Sequence, residues 1–97
     1  MNLDKSQKRL NKLHKRGFHG YPLVTIRYYG ANPHVATKVV VGFIEDEASA
    51  TFTESFTTQT DIRVDEIVQT TLLKIIDRAQ AKSVTIYADV TIENELA

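Results

Sequence analysis

The chain has 97 residues and no net charge, and its apolar and charged fractions of 42% and 25% are ordinary for a globular domain. It contains no cysteine, which excludes disulfide scaffolds and thiolate chemistry, and no apolar run approaches the roughly 20 residues of a membrane span. Because the N-terminus also lacks the apolar segment of a secretory signal, we expect one cytoplasmic domain with no membrane contact.

The net charge is zero, but charge is distributed unevenly along the chain. Residues 1–20 hold six basic side chains against one acidic side chain, a balance of +5, and the rest of the chain carries −5. This division predicts a basic N-terminal helix and linker, residues 1–20, in front of a single domain formed by residues 21–97. The six basic residues are Lys5, Lys8, Arg9, Lys12, Lys15 and Arg16.

The first predicted element is a helix over residues 2–16 with a narrow apolar stripe. Its large apolar residues are Leu3, Leu10 and Leu13, which are too few to anchor a helix firmly. Two glycines interrupt the pattern that follows. Residues 17–21 are therefore interpreted as a linker.

Three strands are predicted next. Residues 22–29 and 50–58 alternate with period two, whereas residues 37–44 are apolar on both faces, as in a central strand. The threonine-rich side of residues 50–58 favours an edge position. Because the turns between these segments are short, we expect an antiparallel meander.

An amphipathic helix over residues 61–81 and a strand over residues 83–89 complete the predicted fold. Asp61 has the chemistry of an N-cap, and the helix is long enough to return the last strand parallel to a meander strand. The residues beyond 89 are expected to fray. The apolar stripe of the helix consists of Val64, Ile67, Val68, Leu72, Ile75, Ile76 and Ala79, with Leu73 off the stripe.

These elements predict an α+β fold with an N-terminal helix followed by β-β-β-α-β. The mixed four-stranded sheet should contain three antiparallel strands and one parallel strand, with the main helix on one face. Ile67, Leu72 and Ile76 are expected to be buried against the sheet residues Val24, Ile26, Val84 and Ile86. One helix covers one face only, so the N-terminal helix or a second copy of the chain is expected on the other.

Three short motifs lie near the ends of these elements. Tyr29 is followed by a glycine and then by an asparagine–proline pair, Glu66 precedes an aliphatic residue on the main helix, and Asp89 follows a tyrosine-x pair. The separations are 37 residues from Tyr29 to Glu66 and 23 from Glu66 to Asp89. In this order and spacing, residues 22–90 resemble the first part of the ribonuclease H fold.

The resemblance implies a nucleic-acid-related protein, but with an incomplete set of metal ligands. Tyr29 stands where the family has its first metal-binding aspartate, and the chain ends before the elements that carry the last carboxylate. A phenol is a poor Mg²⁺ ligand, and Glu66 and Asp89 are too few for two-metal cleavage. The expectation is a non-catalytic relative without a cofactor, in which Glu66 is a helix-dipole residue and Asp89 caps a turn.

Two functions from different classes remain open. In the first, the basic N-terminal segment neutralises nucleic-acid phosphates. Tyr28 and Tyr29, which lie beside Arg27, either stack on bases or are simply a packed ring and its exposed neighbour. In the second, the chain is a homodimer or protein-interaction module whose partner covers the open sheet face, or whose basic segment lies on the acidic body of another protomer. A metal-dependent nuclease is disfavoured because the carboxylates are too few.

Overall fold

Residues 3–93 form two α-helices and four strands in the order expected from the sequence. The computed structural model describes this part of the chain. A short 3-10 turn precedes the second helix. The elements are α1 (Leu3–Lys15), β1 (Leu23–Gly30), β2 (Lys38–Ile44), β3 (Phe52–Thr57), the 3-10 turn (Ile62–Val64), α2 (Glu66–Ala79) and β4 (Ser83–Ile92).

The four strands form one mixed sheet with the order β3-β2-β1-β4. Strands β1, β2 and β3 pair antiparallel, and β4 returns through α2 to pair parallel with β1. The predicted fold class, the meander and the parallel return are therefore confirmed. Strand β3 lies at one edge, as its threonine-rich pattern predicts, and β4 lies at the other.

Both helices lie on the same face of the sheet. Leu10 of α1 is buried in one core with Val24 of β1 and Leu72 of α2. The hydroxyls of Ser6 on α1 and Thr70 on α2 are 3.1 Å apart, which joins the two helices side by side. The expectation that the N-terminal helix could cover the second face is therefore wrong, because its leucines pack into the same core as α2.

The second face of the sheet is open and mostly polar. Thr25 lies at its centre, where a Cβ at Gly42 would collide with the threonine hydroxyl, so glycine is needed there. Hydroxyl and charged side chains keep their hydration when exposed, so this face does not by itself require a covering layer. The register places on it Leu23, Thr25, Arg27 and Tyr29; Lys38, Val40, Gly42 and Ile44; Thr53, Ser55 and Thr57; and Ser83, Thr85, Tyr87 and Thr91.

Helix α2 begins later than predicted because two aspartates act as successive caps. Asp61 caps the 3-10 turn by accepting from the amide of Arg63 at 3.0 Å. Asp65 caps α2 itself by accepting from the amide of Val68 at 3.0 Å. Gln80, in the left-handed conformation at φ 52°, ends the helix. The predicted span of 61–81 is thus too long at both ends.

The buried face of α2 is also rotated from the predicted stripe. Ile67 is 79% exposed, whereas Leu73, placed off the stripe, is 3% exposed. The prediction is wrong for Ile67 because the 3-10 turn places Ile62 in the core, and α2 then packs through residues nearer its middle. It is confirmed for Leu72 and Ile76, which are 1% and 4% exposed. On the sheet, Val24, Ile26 and Val84 are buried and Ile86 is partly buried.

Strand β4 continues through residues that were expected to fray. The register shifts opposite Arg27 and Tyr28, so that Arg27 pairs with Tyr87 but Tyr28 pairs with Val90. Val90 is nearly buried, and the amide of Glu93 donates to the Gly30 carbonyl at 2.8 Å. Backbone pairing therefore extends the strand to Ile92, and residues 94–97 of the predicted fraying segment lie outside the described residues.

Candidate nucleic-acid interface

The basic side chains of the N-terminal segment gather on one side of α1. At about 100° per residue, they fall within an arc of roughly 120° centred opposite Leu10, which faces the core. Each of the six residues is exposed. We call this surface the basic face, and it consists of Lys5, Lys8, Arg9, Lys12, Lys15 and Arg16.

Two exposed ion pairs lie along the basic face. Lys8 contacts Asp4 at 3.2 Å within α1, and Arg9 contacts Asp77 of α2 at 3.5 Å. All four side chains are at least half exposed. Such pairs contribute only about 0–1 kcal/mol and exchange readily with other partners, so these cations can still contact phosphates.

Hydrogen bonds fix α1 to the rest of the fold. Gln7 donates from Nε2 to the carbonyl of Arg63 at 2.7 Å. Near the other end of the helix, Nδ1 of His14 accepts from the amide of Ile86 at 3.0 Å, on the outer edge of β4. These hydrogen bonds hold the helix against the fold at Gln7 and at His14, whereas its narrow leucine stripe predicts only loose docking.

The open face of the sheet carries two aromatic rings, each beside a cation. The guanidinium carbon of Arg27 lies 4.0 Å from the centre of the Tyr87 ring. The Nζ atom of Lys38 lies 5.9 Å from the centre of the Tyr29 ring and 3.2 Å from the Glu93 carboxylate. We call Arg27, Tyr29, Lys38 and Tyr87 the tyrosine–cation patch.

The sequence identifies only half of this patch. Tyr29 and Arg27 were candidates for base stacking because they are close in sequence, whereas Tyr28, the third candidate, is buried on the helical side. Lys38 and Tyr87 were missed. Only the strand pairing brings these side chains to Tyr29 and Arg27.

The two candidate metal ligands occupy separate local settings. Glu66 is the exposed first residue of α2, where its charge faces the positive end of the helix dipole. Asp89 is exposed in the irregular part of β4, where the strand continues past it instead of ending. Within residues 3–93, no three histidine or carboxylate side chains come together as a metal-binding group.

A cleft of about 310 Å³ opens between α1, the start of α2 and the sheet. Gln69 is buried here and donates to the Tyr28 hydroxyl at 3.2 Å. Burial raises the pKa of Tyr28 above its ordinary value. The cleft is lined by Gln7, Leu10, Asn11, Tyr28, Arg63, Gln69 and Ile86.

Asp61 and Arg63 form a two-pronged ion pair at the mouth of this cleft. Nε and Nη2 of Arg63 donate to the two carboxylate oxygens of Asp61 at 2.9 and 2.6 Å. These hydrogen bonds lower the pKa of the Asp61 carboxyl and raise that of the arginine. Arg63 also donates to the carbonyl of His34 at 2.9 Å, so its guanidinium serves to join the 3-10 turn to the loop after β1.

Comparison of the chain with protein families, with curated proteins and with solved structures found no match. No helix in the part of the chain described, residues 3–93, is both long enough and apolar enough to cross a membrane.

Proposed function

We propose that the protein binds nucleic acid without cleaving it, through the basic face of α1. The observation that carries the proposal is the placing of five cationic side chains on one exposed side of a helix that is fixed to the fold, with a sixth, Arg16, directly after it. Each cation that contacts a phosphate releases condensed counterions, which gives affinity without reading the base sequence.

The size of the basic face suits a run of phosphates. Helix α1 has 13 residues, and is therefore about 20 Å long. Phosphates of one strand recur every ~3.4 Å along the axis of B-form DNA, so this length corresponds to an axial rise of about six of them. Because hydrogen bonds to α2 and β4 already hold the helix, its binding to phosphates costs little ordering of the backbone.

The absence of cleavage is supported by the positions of the carboxylates. Two-metal hydrolysis needs several carboxylates around ions held about 4 Å apart. Glu66 and Asp89 are both exposed, and Tyr29, in place of the third carboxylate, projects from the face of the sheet opposite α2. We propose accordingly that residues 22–90 are a non-catalytic relative of the ribonuclease H fold, and the parallel pairing of β4 with β1 is the feature that supports the relationship.

A second candidate function is self-association near β3. Phe52 on the edge strand β3 lies on the helical face of the sheet, and it is left 67% exposed beside the partly buried Phe43. A hollow of about 260 Å³ is lined in part by Phe43 and by Ile75 of α2. An exposed edge strand with apolar side chains favours pairing with another chain, so a dimer through β3 is the alternative.

Neutralising the basic face tests the proposal against this alternative. The variant Lys8→Gln/Lys12→Gln/Lys15→Gln should bind a labelled DNA duplex about tenfold or more weakly at low salt, because phosphate contacts are lost. A matched control, Lys74→Gln/Arg78→Gln/Lys82→Gln, removes the same charge from exposed positions elsewhere and should bind like the unmodified protein. No measurable binding by the unmodified protein, together with a dimeric solution mass abolished by Phe52→Lys, would favour self-association.

A further inference from the structure

The tyrosine–cation patch lies on the open face of the sheet, where Arg27 and Tyr87 are exposed and Tyr29 and Lys38 are half-buried. Arg27 and Tyr29 are two residues apart on β1, which places their side chains about 7 Å apart on the same face. Their neighbours across the sheet are Tyr87 and Lys38, so the four side chains occupy two adjacent rows. Tyr87 is 40% exposed, and its ring has a surface available to a ligand.

The surroundings of the patch leave its rings accessible. Threonine side chains and Val40 flank the patch on the same face, and these side chains are smaller than the tyrosine rings. In residues 3–93, the carboxylate bound to the patch is Glu93, which pairs with Lys38. The patch therefore combines two flat aromatic rings with two cations, which is the chemistry that recognises a base beside a phosphate.

The basic face and the patch meet at the edge of β4. The hydrogen bond from the Ile86 amide to His14 fixes the C-terminal end of α1 against this edge. Lys15 and Arg16 follow His14 directly, and Tyr87 follows Ile86 with its side chain on the open face. One continuous strand can thus pass from the basic face over the edge of β4 to the two rings.

We infer that the nucleic acid is single-stranded and that its bases stack on Tyr29 and Tyr87, with Arg27 and Lys38 near the adjoining phosphates. This inference rests on the proposed function and names its substrate. A duplex keeps its bases stacked on one another, so it can contact the basic face but cannot offer bases to the rings. Stacking on an aromatic side chain tolerates every base, so the patch requires no particular sequence.

The test compares single-stranded and duplex DNA on ring variants. The variant Tyr29→Leu/Tyr87→Leu should bind a labelled oligothymidine of about 20 nucleotides about 30-fold or more weakly, because two base–ring contacts are lost. Its affinity for a duplex of the same length should not change. Phe18→Leu removes an exposed ring from the linker and is the matched control, which should bind both probes like the unmodified protein.

Rescue separates stacking from loss of structure. Tyr29→Phe/Tyr87→Phe keeps both ring faces and should restore binding of the single strand to within about twofold. Unchanged single-strand binding by the leucine variant, or failure of the phenylalanine variant to restore it, would overturn the inference. If the lysine variants of α1 lose binding while the leucine variant does not, the proposed function stands and only the stacking inference fails. If the unmodified protein binds neither probe, both fail.

Discussion

Gln69 on α2 donates a hydrogen bond to the phenol oxygen of Tyr28 on β1 at 3.2 Å, between two buried side chains. The same Nε2 atom donates to the carbonyl of Ile62 at 3.2 Å. One glutamine therefore joins the sheet, the 3-10 turn and the helix. A polar residue is stable at this buried position because its side-chain amide is hydrogen-bonded to both partners.

The first prediction is that Gln69→Leu lowers the free energy of unfolding by about 1–3 kcal/mol, because the Tyr28 hydroxyl loses its donor and the Ile62 carbonyl keeps only the amide of Asp65. Urea denaturation measures the loss. In a double-mutant cycle with Tyr28→Phe, the two changes should couple by about 0.5–1.5 kcal/mol. A variant at least as stable as the unmodified protein would show that the glutamine bonds contribute nothing net.

The second prediction concerns the buried face of α2. Leu72→Ala should cost about 2–5 kcal/mol of unfolding free energy, since a cavity would remain between the helix and the sheet. Ile67→Ala, on the exposed side of the same helix, should change it by no more than about 0.5 kcal/mol. A loss at Ile67 as large as that at Leu72 would contradict the position of the helix.

The strand arrangement could be predicted because its determinants are local. Alternation over residues 22–29 and 50–58 indicates strands, and the threonine-rich side of residues 50–58 indicates an edge position. The doubly apolar run between them indicates a central strand. The length of the connection through α2 permits the parallel return. The continuation of β4 to Ile92 could not be foreseen, because it depends on a register shift against β1 that leaves no local pattern.

The face of α2 was misassigned because capping and tertiary contacts override periodicity. Asp61 and Asp65 are equally good caps by residue type. The apolar pattern predicts a helix that begins at Asp61, whereas the α-helix is capped by Asp65. Gln69 is then buried through bonds to residues distant in sequence. Hydrophobic spacing alone carries no signal for either effect.

One part of the candidate site could be predicted from the sequence and the other could not. The basic face is formed by residues within one helix, so their spacing predicts that they lie together. The pairing of Arg27 with Tyr87 joins residues 60 positions apart, and only the register of two strands brings them into contact.

The third prediction concerns acid stability. The bonds from Arg63 hold the pKa of Asp61 below the unfolded value of about 3.9, so the pair adds stability that is present above that pH and is lost as pH falls through the folded pKa. Asp61→Asn and Arg63→Gln should each be less stable near neutral pH, and each should lose stability less steeply below about pH 4. Thermal unfolding across pH measures this, and parallel profiles for all three proteins would contradict the role of the pair.

The fourth prediction is that the protein does not cleave nucleic acid. Incubation with an RNA–DNA hybrid and Mg²⁺ or Mn²⁺ should give no turnover above background, because Glu66 and Asp89 are too few to hold two ions. Glu66→Gln is the control for trace contamination and should leave that background unchanged. Cleavage by the unmodified protein that disappears in Glu66→Gln would mean that another protomer completes the metal site.

The salt dependence of nucleic-acid binding tests the central claim most directly. We expect the logarithm of the association constant for oligothymidine to fall with the logarithm of salt concentration with a slope of about −3 or steeper, since several phosphates are neutralised. In Lys8→Gln/Lys12→Gln/Lys15→Gln the slope should become shallower by about two units, at roughly 0.7 per lost contact. A slope near zero in the unmodified protein, or the same slope in both proteins, would contradict binding through the basic face.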